Sequence, residues 1–227
     1  SKRLIAYHEV GHAIIGTLVK AHDPVQKVTV IPRGQAKGLT WFTPDDDQSL
    51  ISRANLKARI MGALGGRAAE EVIFNQISTG ALSDLERTTK MAQAMVTIYG
   101  LNNKLGNVSY YDSSGQQGFF MDKPYSDDTA KIIDEEISVL IEGQYERAKT
   151  LLQDNKDKLD QLAQKLLEKE VIFRDDLELI FGKRPFDKDS SVDDDASSIS
   201  KEMKSNEEQA GTIDSTDSNA DKNENKV

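Results

Sequence analysis

Two histidines four residues apart, with a glutamate beside the first, constrain this chain more than any other feature. His8-Glu9-Val10-Gly11-His12 lies in a run of helix-favouring residues from about Lys2 to Lys20. On a helix, residues four apart lie on the same face, so both imidazoles can bind one metal ion. Zinc takes histidine nitrogen and activates a water molecule that Glu9 can deprotonate. The pattern predicts a zinc metallopeptidase site, with His8 and His12 as ligands and Glu9 as general base.

The alternative is that the two histidines only decorate a surface or fill a core. Two of the three histidines of the chain fall in the pattern, and apolar residues flank it on both sides. A helix with such flanks is predicted to be buried, where histidines without a partner are costly. The metal site is therefore the favoured interpretation.

The negative charge of the chain is concentrated near its C-terminal end. The 227 residues carry a net charge of -9, and residues 187–227 contain twelve Asp and Glu against five Lys. That composition buries too little apolar surface to order itself. We therefore predict a metallopeptidase domain over residues 1–186 and a disordered acidic tail over residues 187–227. The nearly balanced remainder lacks the basic surface of a nucleic-acid-binding protein.

Residue counts exclude two further kinds of site. The chain has no cysteine, which excludes disulfides and cysteine-ligated zinc. Its longest apolar run, residues 13–19, is too short to span a bilayer. Because Ser1 stands almost inside the first helix, we expect the chain to be a fragment of a longer protein.

The hydrophobic periodicity predicts a mainly α protein with a small two-stranded β-ribbon. Helices are expected over residues 2–20, 50–74, 83–99, 126–152, 155–168 and 174–180, and strands over residues 25–31 and 38–42. Ser83-Asp84-Leu85-Glu86 has the form of a capping box, and Ser126 is a second N-cap. The interval 102–125 is predicted to be an ordered loop because its aromatic side chains require packing partners: Tyr110, Tyr111, Phe119 and Phe120.

The second predicted helix contains three glycines, Gly62, Gly65 and Gly66. Each weakens a helix by about 1 kcal/mol relative to alanine. A close backbone approach to another helix would compensate for this cost. We expect that partner to be the helix that carries His8 and His12.

A catalytic zinc site usually has a third protein ligand. One class of zinc peptidases continues the motif with a glycine and a third histidine, but Ile15 and Leu18 stand at those positions here. His22 lies about 15 Å farther along a continuous helix and on another face, which makes it a poor ligand. The third ligand is therefore expected to be a carboxylate.

Two positions can supply that carboxylate. Glu70 and Glu71 lie on the glycine-containing helix, where thermolysin-like peptidases place their third ligand. Asp84 lies at the start of the next helix, where the helix dipole alone favours an acidic residue. The chemistry of the residues leaves this choice open.

Four segments of the sequence carry a resemblance to a known family. They are His8-Glu9-Val10-Gly11-His12, Val28-Thr29-Val30-Ile31-Pro32-Arg33-Gly34, Gly65-Gly66-Arg67-Ala68-Ala69-Glu70-Glu71 and Ser78-Thr79-Gly80-Ala81-Leu82-Ser83-Asp84-Leu85. In this order they resemble the peptidase domain of the FtsH family, membrane-anchored ATP-dependent zinc proteases of the M41 type. The resemblance extends from about residue 3 to residue 181 and leaves the acidic tail outside.

The resemblance implies one zinc ion per chain and a third ligand. In that family the aspartate of the fourth segment binds the metal, which corresponds to Asp84 here. The family more often has alanine where Val10 stands, a departure that touches no proposed ligand.

Family members carry an AAA+ ATPase module and transmembrane helices ahead of the peptidase. Neither a phosphate loop nor a spanning helix occurs in this sequence, so the chain resembles the peptidase part of such a protein. The resemblance implies a homo- or hetero-hexameric ring, ATP use by the full-length protein only, and membrane attachment through segments outside this chain. It further implies degradation of unfolded, damaged or unassembled proteins in protein quality control, on the cytoplasmic, matrix or stromal side.

Two other functions remain as alternatives. One is a stand-alone thermolysin-like peptidase with Glu70 or Glu71 as ligand. The other is an inactive helical assembly domain with a structural metal. Such a site would need a fourth protein ligand, and the sequence offers no cysteine and no further histidine besides the poorly placed His22.

The second predicted strand is a candidate for substrate binding by strand addition, since a short ribbon near the zinc helix leaves an edge to pair. Its residues are Gly38, Leu39, Thr40, Trp41 and Phe42. The alternative is that the ribbon only buries Trp41 in the core.

Overall fold

Six α-helices and three β-strands make up the regular structure of residues 1–34, 36–44, 50–110 and 123–187, which the computed structural model describes. The helices are α1 (Lys2–Leu18), α2 (Arg53–Phe74), α3 (Leu82–Thr97), α4 (Asp127–Asp154), α5 (Lys156–Lys169) and α6 (Arg174–Phe181). The strands are β1 (Val25–Thr29), β2 (Leu39–Phe42) and β3 (Val171–Phe173), and a 3-10 turn (Thr79–Ala81) precedes α3. The predicted mainly α fold class is confirmed.

The sheet has three strands where the sequence predicts two. Its order is β2-β1-β3, and both pairings are antiparallel, so that Val28 lies between Thr40 and Ile172. The prediction of a two-stranded ribbon was wrong because β3 has only three residues between two helices, too few to show an alternating pattern. β2 lies at an edge of this sheet.

The end of α1 differs from the predicted boundary for a physical reason. The helix stops at Leu18, and Val19 is already extended. The guanidinium group of Arg184 donates hydrogen bonds to the carbonyl oxygens of Val19 (2.9 Å) and His22 (2.6 Å). Its Nε atom also lies 3.3 Å from the carbonyl oxygen of Thr17, in the last turn of α1, where carbonyl groups have no partner within the helix. A contact across more than 160 residues leaves no local signal in the sequence.

The predicted caps have different outcomes. The capping box at Ser83 was wrong: α3 starts one residue earlier, without a side-chain cap on its N-cap residue, and Asp84 lies in its first turn. The Ser78 hydroxyl instead accepts from the Gly80 amide at 3.1 Å in the preceding turn. At α4 the prediction is confirmed, since the Ser126 hydroxyl accepts from the Thr129 amide at 3.2 Å.

α1 and α2 approach each other at a pair of glycines. A Cβ atom on Gly11 would lie 2.3 Å from the carbonyl oxygen of Gly65, and one on Gly65 would lie 2.7 Å from the carbonyl oxygen of Gly11. Gly66 gives the same room to the His8 ring, which a Cβ atom there would meet at 2.5 Å. The predicted close approach of the glycine-containing helix to the histidine helix is confirmed.

The main core surrounds α1. Val10 and Ile14 of α1 are fully buried, as are Leu162 of α5 and Ile172 of β3. A second cluster joins α2 to α3 and includes Met95. Among the described helices, none is long and apolar enough to cross a membrane.

Two predictions concern residues outside the described part of the chain. They are most of the central loop, including Tyr111, Phe119 and Phe120, and the acidic tail from residue 188 onward. At the ends of that loop, the Tyr110 and Tyr125 rings meet edge to face with centroids 5.3 Å apart.

Candidate metal centre

α1 presents the His-Glu-x-x-His residues on its buried face. His8, Glu9 and His12 are each less than one-tenth exposed. The two imidazole rings meet edge to face with their centroids 4.8 Å apart. The helical spacing thus brings both rings to one place in the interior of the domain.

The side chain of Asp84 reaches this place from the first turn of α3. Its Oδ2 atom lies 3.3 Å from His8 Nε2 and 3.4 Å from His12 Nε2. One ligand atom from each of the three residues therefore falls within 4.8 Å of the others. The predicted metal residues are brought together although 72 positions separate His12 from Asp84.

These distances suit zinc. Tetrahedral zinc binds imidazole nitrogen and carboxylate oxygen at about 2.0 to 2.2 Å, which places neighbouring ligand atoms about 3.3 to 3.5 Å apart. The separations of Asp84 Oδ2 from His8 Nε2 and His12 Nε2, 3.3 and 3.4 Å, agree with that geometry. Two imidazoles and one carboxylate are also one of the donor sets of catalytic zinc sites.

The second nitrogen of each imidazole has a partner that fixes its orientation. His12 Nδ1 lies 2.7 Å from the carbonyl oxygen of Gly62, and His8 Nδ1 lies 2.7 Å from Glu70 Oε1. A carbonyl or carboxylate oxygen only accepts hydrogen bonds, so the Nδ1 atoms must carry the protons. The Nε2 lone pairs are then directed to the point where a metal would bind, as in other histidine metal sites.

The alternative third ligands are engaged elsewhere. Glu70 is 1% exposed, and its Oε2 accepts from the Ser78 amide at 2.8 Å. Glu70 therefore contacts the outer nitrogen of His8 rather than the nitrogen that faces Asp84. Glu71 accepts a hydrogen bond from the Tyr145 hydroxyl and lies 3.5 Å from Lys149 Nζ.

Electrostatics at this place favour a cation. Burial alone would lower the pKa of His8, but its hydrogen bonds with Asp84 and Glu70 raise that pKa to about 9. Burial alone would likewise raise the pKa of the Asp84 carboxyl, but its contacts with His12 and His8 hold that pKa well below its usual range. Carboxylates on both sides of His8 therefore stabilise positive charge where the three side chains meet; without a metal that charge is the second proton of His8, which a metal ion bound to Nε2 would displace.

The outer oxygen of Asp84 is held by a half-exposed arginine. Arg87 Nη2 lies 3.2 Å from Asp84 Oδ1, on the same helix three residues farther along. This contact leaves Oδ2 directed to the two imidazoles. The carboxylate would thereby offer a single oxygen atom to a metal ion.

The site opens into a cleft of about 710 Å³. His8, Glu9, His12 and Asp84 line it, and part of the predicted substrate strand also lies along it: Gly38, Leu39, Thr40 and Phe42. Trp41 is not among the lining residues. Its side chain is half exposed, so the alternative that the ribbon buries Trp41 in the core was wrong.

Sequence reasoning missed several supporting groups. The Gly62 carbonyl, the Arg87 guanidinium group and the hydroxyl of Thr40, which contacts Glu9, belong to no motif. The sequence indicates Glu70 as a ligand candidate, whereas in the structure it is the partner of His8 Nδ1. His22 lies outside the cluster, as expected, and its ring packs on Phe42 with the centroids 4.6 Å apart.

Comparison with known proteins gives concordant matches over most of the chain. The sequence profile of peptidase family M41 matches residues 1–180. The chain is 49% identical over 183 residues to the ATP-dependent zinc metalloprotease FtsH of Parabacteroides distasonis, covering 81% of this chain and 26% of that protein. It is 50% identical over 175 residues to the protein of the same name from Karelsulcia muelleri, covering 77% and 28%.

A plant relative gives the same result. The chain is 48% identical over 189 residues to the chloroplastic ATP-dependent zinc metalloprotease FTSH 2 of Arabidopsis thaliana, covering 81% of this chain and 27% of that protein. The chain thus spans about a quarter of the length of the curated relatives it matches. The profile match and these identities show that the chain belongs to peptidase family M41, the family of the FtsH zinc metalloproteases.

Proposed function

We propose that this chain is the zinc endopeptidase domain of an ATP-dependent membrane protease. The observation that carries the proposal is the meeting of His8, His12 and Asp84 ligand atoms within 4.8 Å of one another, in a cleft that Glu9 also lines. Three protein ligands leave one position of a tetrahedral zinc for water or substrate. That open position distinguishes catalytic zinc from structural zinc.

The chemistry follows from the residues around the metal position. A zinc ion held by His8, His12 and Asp84 would supply Lewis-acid activation of a water molecule and of the scissile carbonyl. Glu9 takes a proton from that water as its oxygen attacks the carbonyl carbon. Glu9 then gives the proton to the nitrogen of the leaving amine, the C–N bond breaks, and one water is consumed per peptide bond.

Two other functions have less support. A structural zinc site would need a fourth protein ligand, and the cluster found among the described residues contains His8, His12 and Asp84 alone. A stand-alone thermolysin-like peptidase would use Glu70 or Glu71, whose carboxylates contact other partners.

The substrate is proposed to bind as an added strand on the edge of β2. Gly38, Leu39 and Thr40 line the cleft beside Glu9, and β2 pairs with β1 on only one side within the described sheet. Pairing through the backbone supplies affinity with little dependence on sequence, which suits a protease for many unfolded chains.

Backbone methylation of a competing peptide tests this strand pairing. N-methyl groups on the two amides that face β2 should weaken inhibition about tenfold, because each removes one hydrogen bond. The same groups on the intervening amides, which face solvent, serve as the control. Equal inhibition by both peptides would contradict pairing with β2.

Further properties of the whole protein are proposals that rest on the family. They are ATP use by a full-length parent, a homo- or hetero-hexameric ring, attachment to a membrane through segments outside this chain, and degradation of unfolded, damaged or unassembled proteins. The relatives are named ATP-dependent zinc metalloproteases, which supports ATP use by a full-length parent.

The division into a domain of residues 1–186 and a tail of residues 187–227 is also a proposal. Peptidase activity of a chain ended after residue 186 tests it.

The chain alone is expected to act only on extended substrates. Its sequence contains no Gly-x-x-x-x-Gly-Lys-Ser/Thr phosphate loop, so unfolding would have to come from another module. We expect the zinc-loaded chain to cut short peptides and an unfolded protein slowly, and to leave the same protein intact when it is folded, with or without ATP. Gel analysis of that protein, with a chelator arm and a measurement of the solution mass, provides the test.

Each other outcome favours a specific alternative. Digestion of the folded protein by a monomer without ATP would favour the stand-alone peptidase. Stoichiometric zinc without any peptide hydrolysis would favour the inactive assembly domain. Hydrolysis that persists after zinc is removed would contradict the metallopeptidase itself.

A further inference from the structure

The hydroxyl of Thr40 makes two contacts with one residue. Thr40 Oγ1 lies 2.8 Å from Glu9 Oε2 and 2.9 Å from the Glu9 carbonyl oxygen. A hydroxyl has one proton to donate, so the two oxygens of Glu9 share it. The contact therefore ties the carboxylate of Glu9 to its own backbone through a side chain of β2.

Gly38 lies against the same Glu9 side chain and leaves little space beside it. A Cβ atom on Gly38 would lie 2.7 Å from Glu9 Cγ and 2.8 Å from Glu9 Oε1. Gly38 directly precedes β2, and residues two apart along a strand face the same side, so Gly38 and Thr40 both lie toward Glu9. The β2 backbone thus packs directly on the Glu9 side chain, which is 8% exposed.

Within the described part of the chain, one of the two carboxylate oxygens of Glu9 has a hydrogen-bond donor. Thr40 occupies Oε2, and no donor among the described residues is within hydrogen-bond distance of Oε1. A general base must lie within hydrogen-bond reach of the proton that it takes. A glutamate side chain without such constraints would distribute over many rotamers and satisfy that condition only part of the time.

We propose that Thr40 is a positioning residue for Glu9: its hydroxyl holds Oε2, so that Oε1 is the oxygen that takes the proton from water. The inference rests on the proposed peptidase function, and it gives β2 a second role beside substrate pairing. Substrate pairs with the backbone of β2 and the base is held by a side chain of β2. Loss of the hydroxyl should therefore lower kcat and leave KM almost unchanged.

The variants separate positioning from a purely structural role. Thr40→Val keeps the branched shape and removes the hydroxyl, while Thr40→Ser keeps the hydroxyl. Thr29→Val is the matched control, because Thr29 is a buried threonine of the neighbouring strand β1 whose hydroxyl bonds the Glu170 carbonyl at 3.2 Å, away from Glu9. Zinc content and thermal unfolding are measured for all three.

The expected result has a kinetic part. Thr40→Val should lower kcat for a short fluorogenic peptide about 10- to 100-fold, the usual effect of removing a group that orients an active-site residue, with full zinc content. Thr40→Ser should recover most of that loss, and Thr29→Val should retain the wild-type kcat. An unchanged kcat in Thr40→Val, no recovery in Thr40→Ser, or a change confined to KM would overturn the proposal.

A spectroscopic measurement tests the hydrogen bond between Thr40 and Glu9 without relying on activity. The ¹³C resonance of the Glu9 carboxyl group is identified by its disappearance in Glu9→Gln. It should shift in Thr40→Val and stay near the wild-type position in Thr40→Ser and Thr29→Val. An unshifted resonance in Thr40→Val would overturn the proposal even if the wild-type chain cleaves peptides. Failure of the wild-type chain to cleave would count against the proposed function, while the resonance still reports on Thr40.

Discussion

Glu9→Gln is expected to keep the fold and the zinc and to lose peptide hydrolysis by roughly 10²- to 10⁴-fold, the usual contribution of a general base. The amide has nearly the shape of the carboxylate, and its oxygen can still accept the hydrogen bond from Thr40. It cannot accept a proton from water near neutral pH. The substitution therefore removes the base and leaves the metal residues His8 and His12 in place.

The assay is cleavage of a fluorogenic peptide together with the zinc content of each protein. Glu71→Gln is the matched control, since it makes the same chemical change on a residue that contacts Tyr145 and Lys149. We expect Glu71→Gln to cleave at nearly the wild-type rate. A Glu9→Gln protein that did so would show that another group takes the proton.

The part of the site on α1 could be predicted because it depends on local geometry alone. The spacing of His8, Glu9 and His12 fixes their relative positions on any helix. The glycines of α2 were also informative. A glycine such as Gly65 destabilises a helix, and the close approach of another helix explains why it is there. Gly11 of α1 proved to be that neighbour.

The rest of the site depends on how distant segments pack, and the residues alone could not decide it. Glu70 and Asp84 are both acidic residues whose places in their helices can be explained without a metal. The structure distinguishes them by which nitrogen of His8 each one approaches. The Gly62 carbonyl could not have been found at all, because every residue has a carbonyl group and none is visible in a residue pattern.

The sheet shows the same limit on a smaller scale. β3 has three residues, and its pairing with β1 joins segments more than 140 positions apart. Its short apolar run is equally consistent with a linker. The sequence left burial of Trp41 open as an alternative for a related reason, since alternation along β2 does not tell which side faces α1.

The second large effect is expected on zinc affinity when the proposed third ligand, Asp84, is substituted. Asp84→Asn is expected to weaken zinc binding by more than about 100-fold, because a neutral amide oxygen replaces a charged ligand atom. A loss of about 100-fold is the upper end of the range for a residue that only orients a metal ligand. His8→Ala should likewise lose zinc. Glu70→Gln should weaken zinc by about 10- to 100-fold, since Glu70 orients His8 but does not face the metal position. Glu71→Gln should leave zinc affinity unchanged.

Competition with a fluorescent chelator measures all four zinc affinities on one scale, and circular dichroism checks that each variant is folded. The order of the losses in zinc affinity distinguishes the two candidate ligands, because Glu70 and Asp84 both contact His8, but on opposite nitrogens. If Glu70→Gln lost zinc and Asp84→Asn retained it, the third ligand would lie on α2. The centre would then have the thermolysin-like arrangement, and Asp84 would only stabilise the first turn of α3.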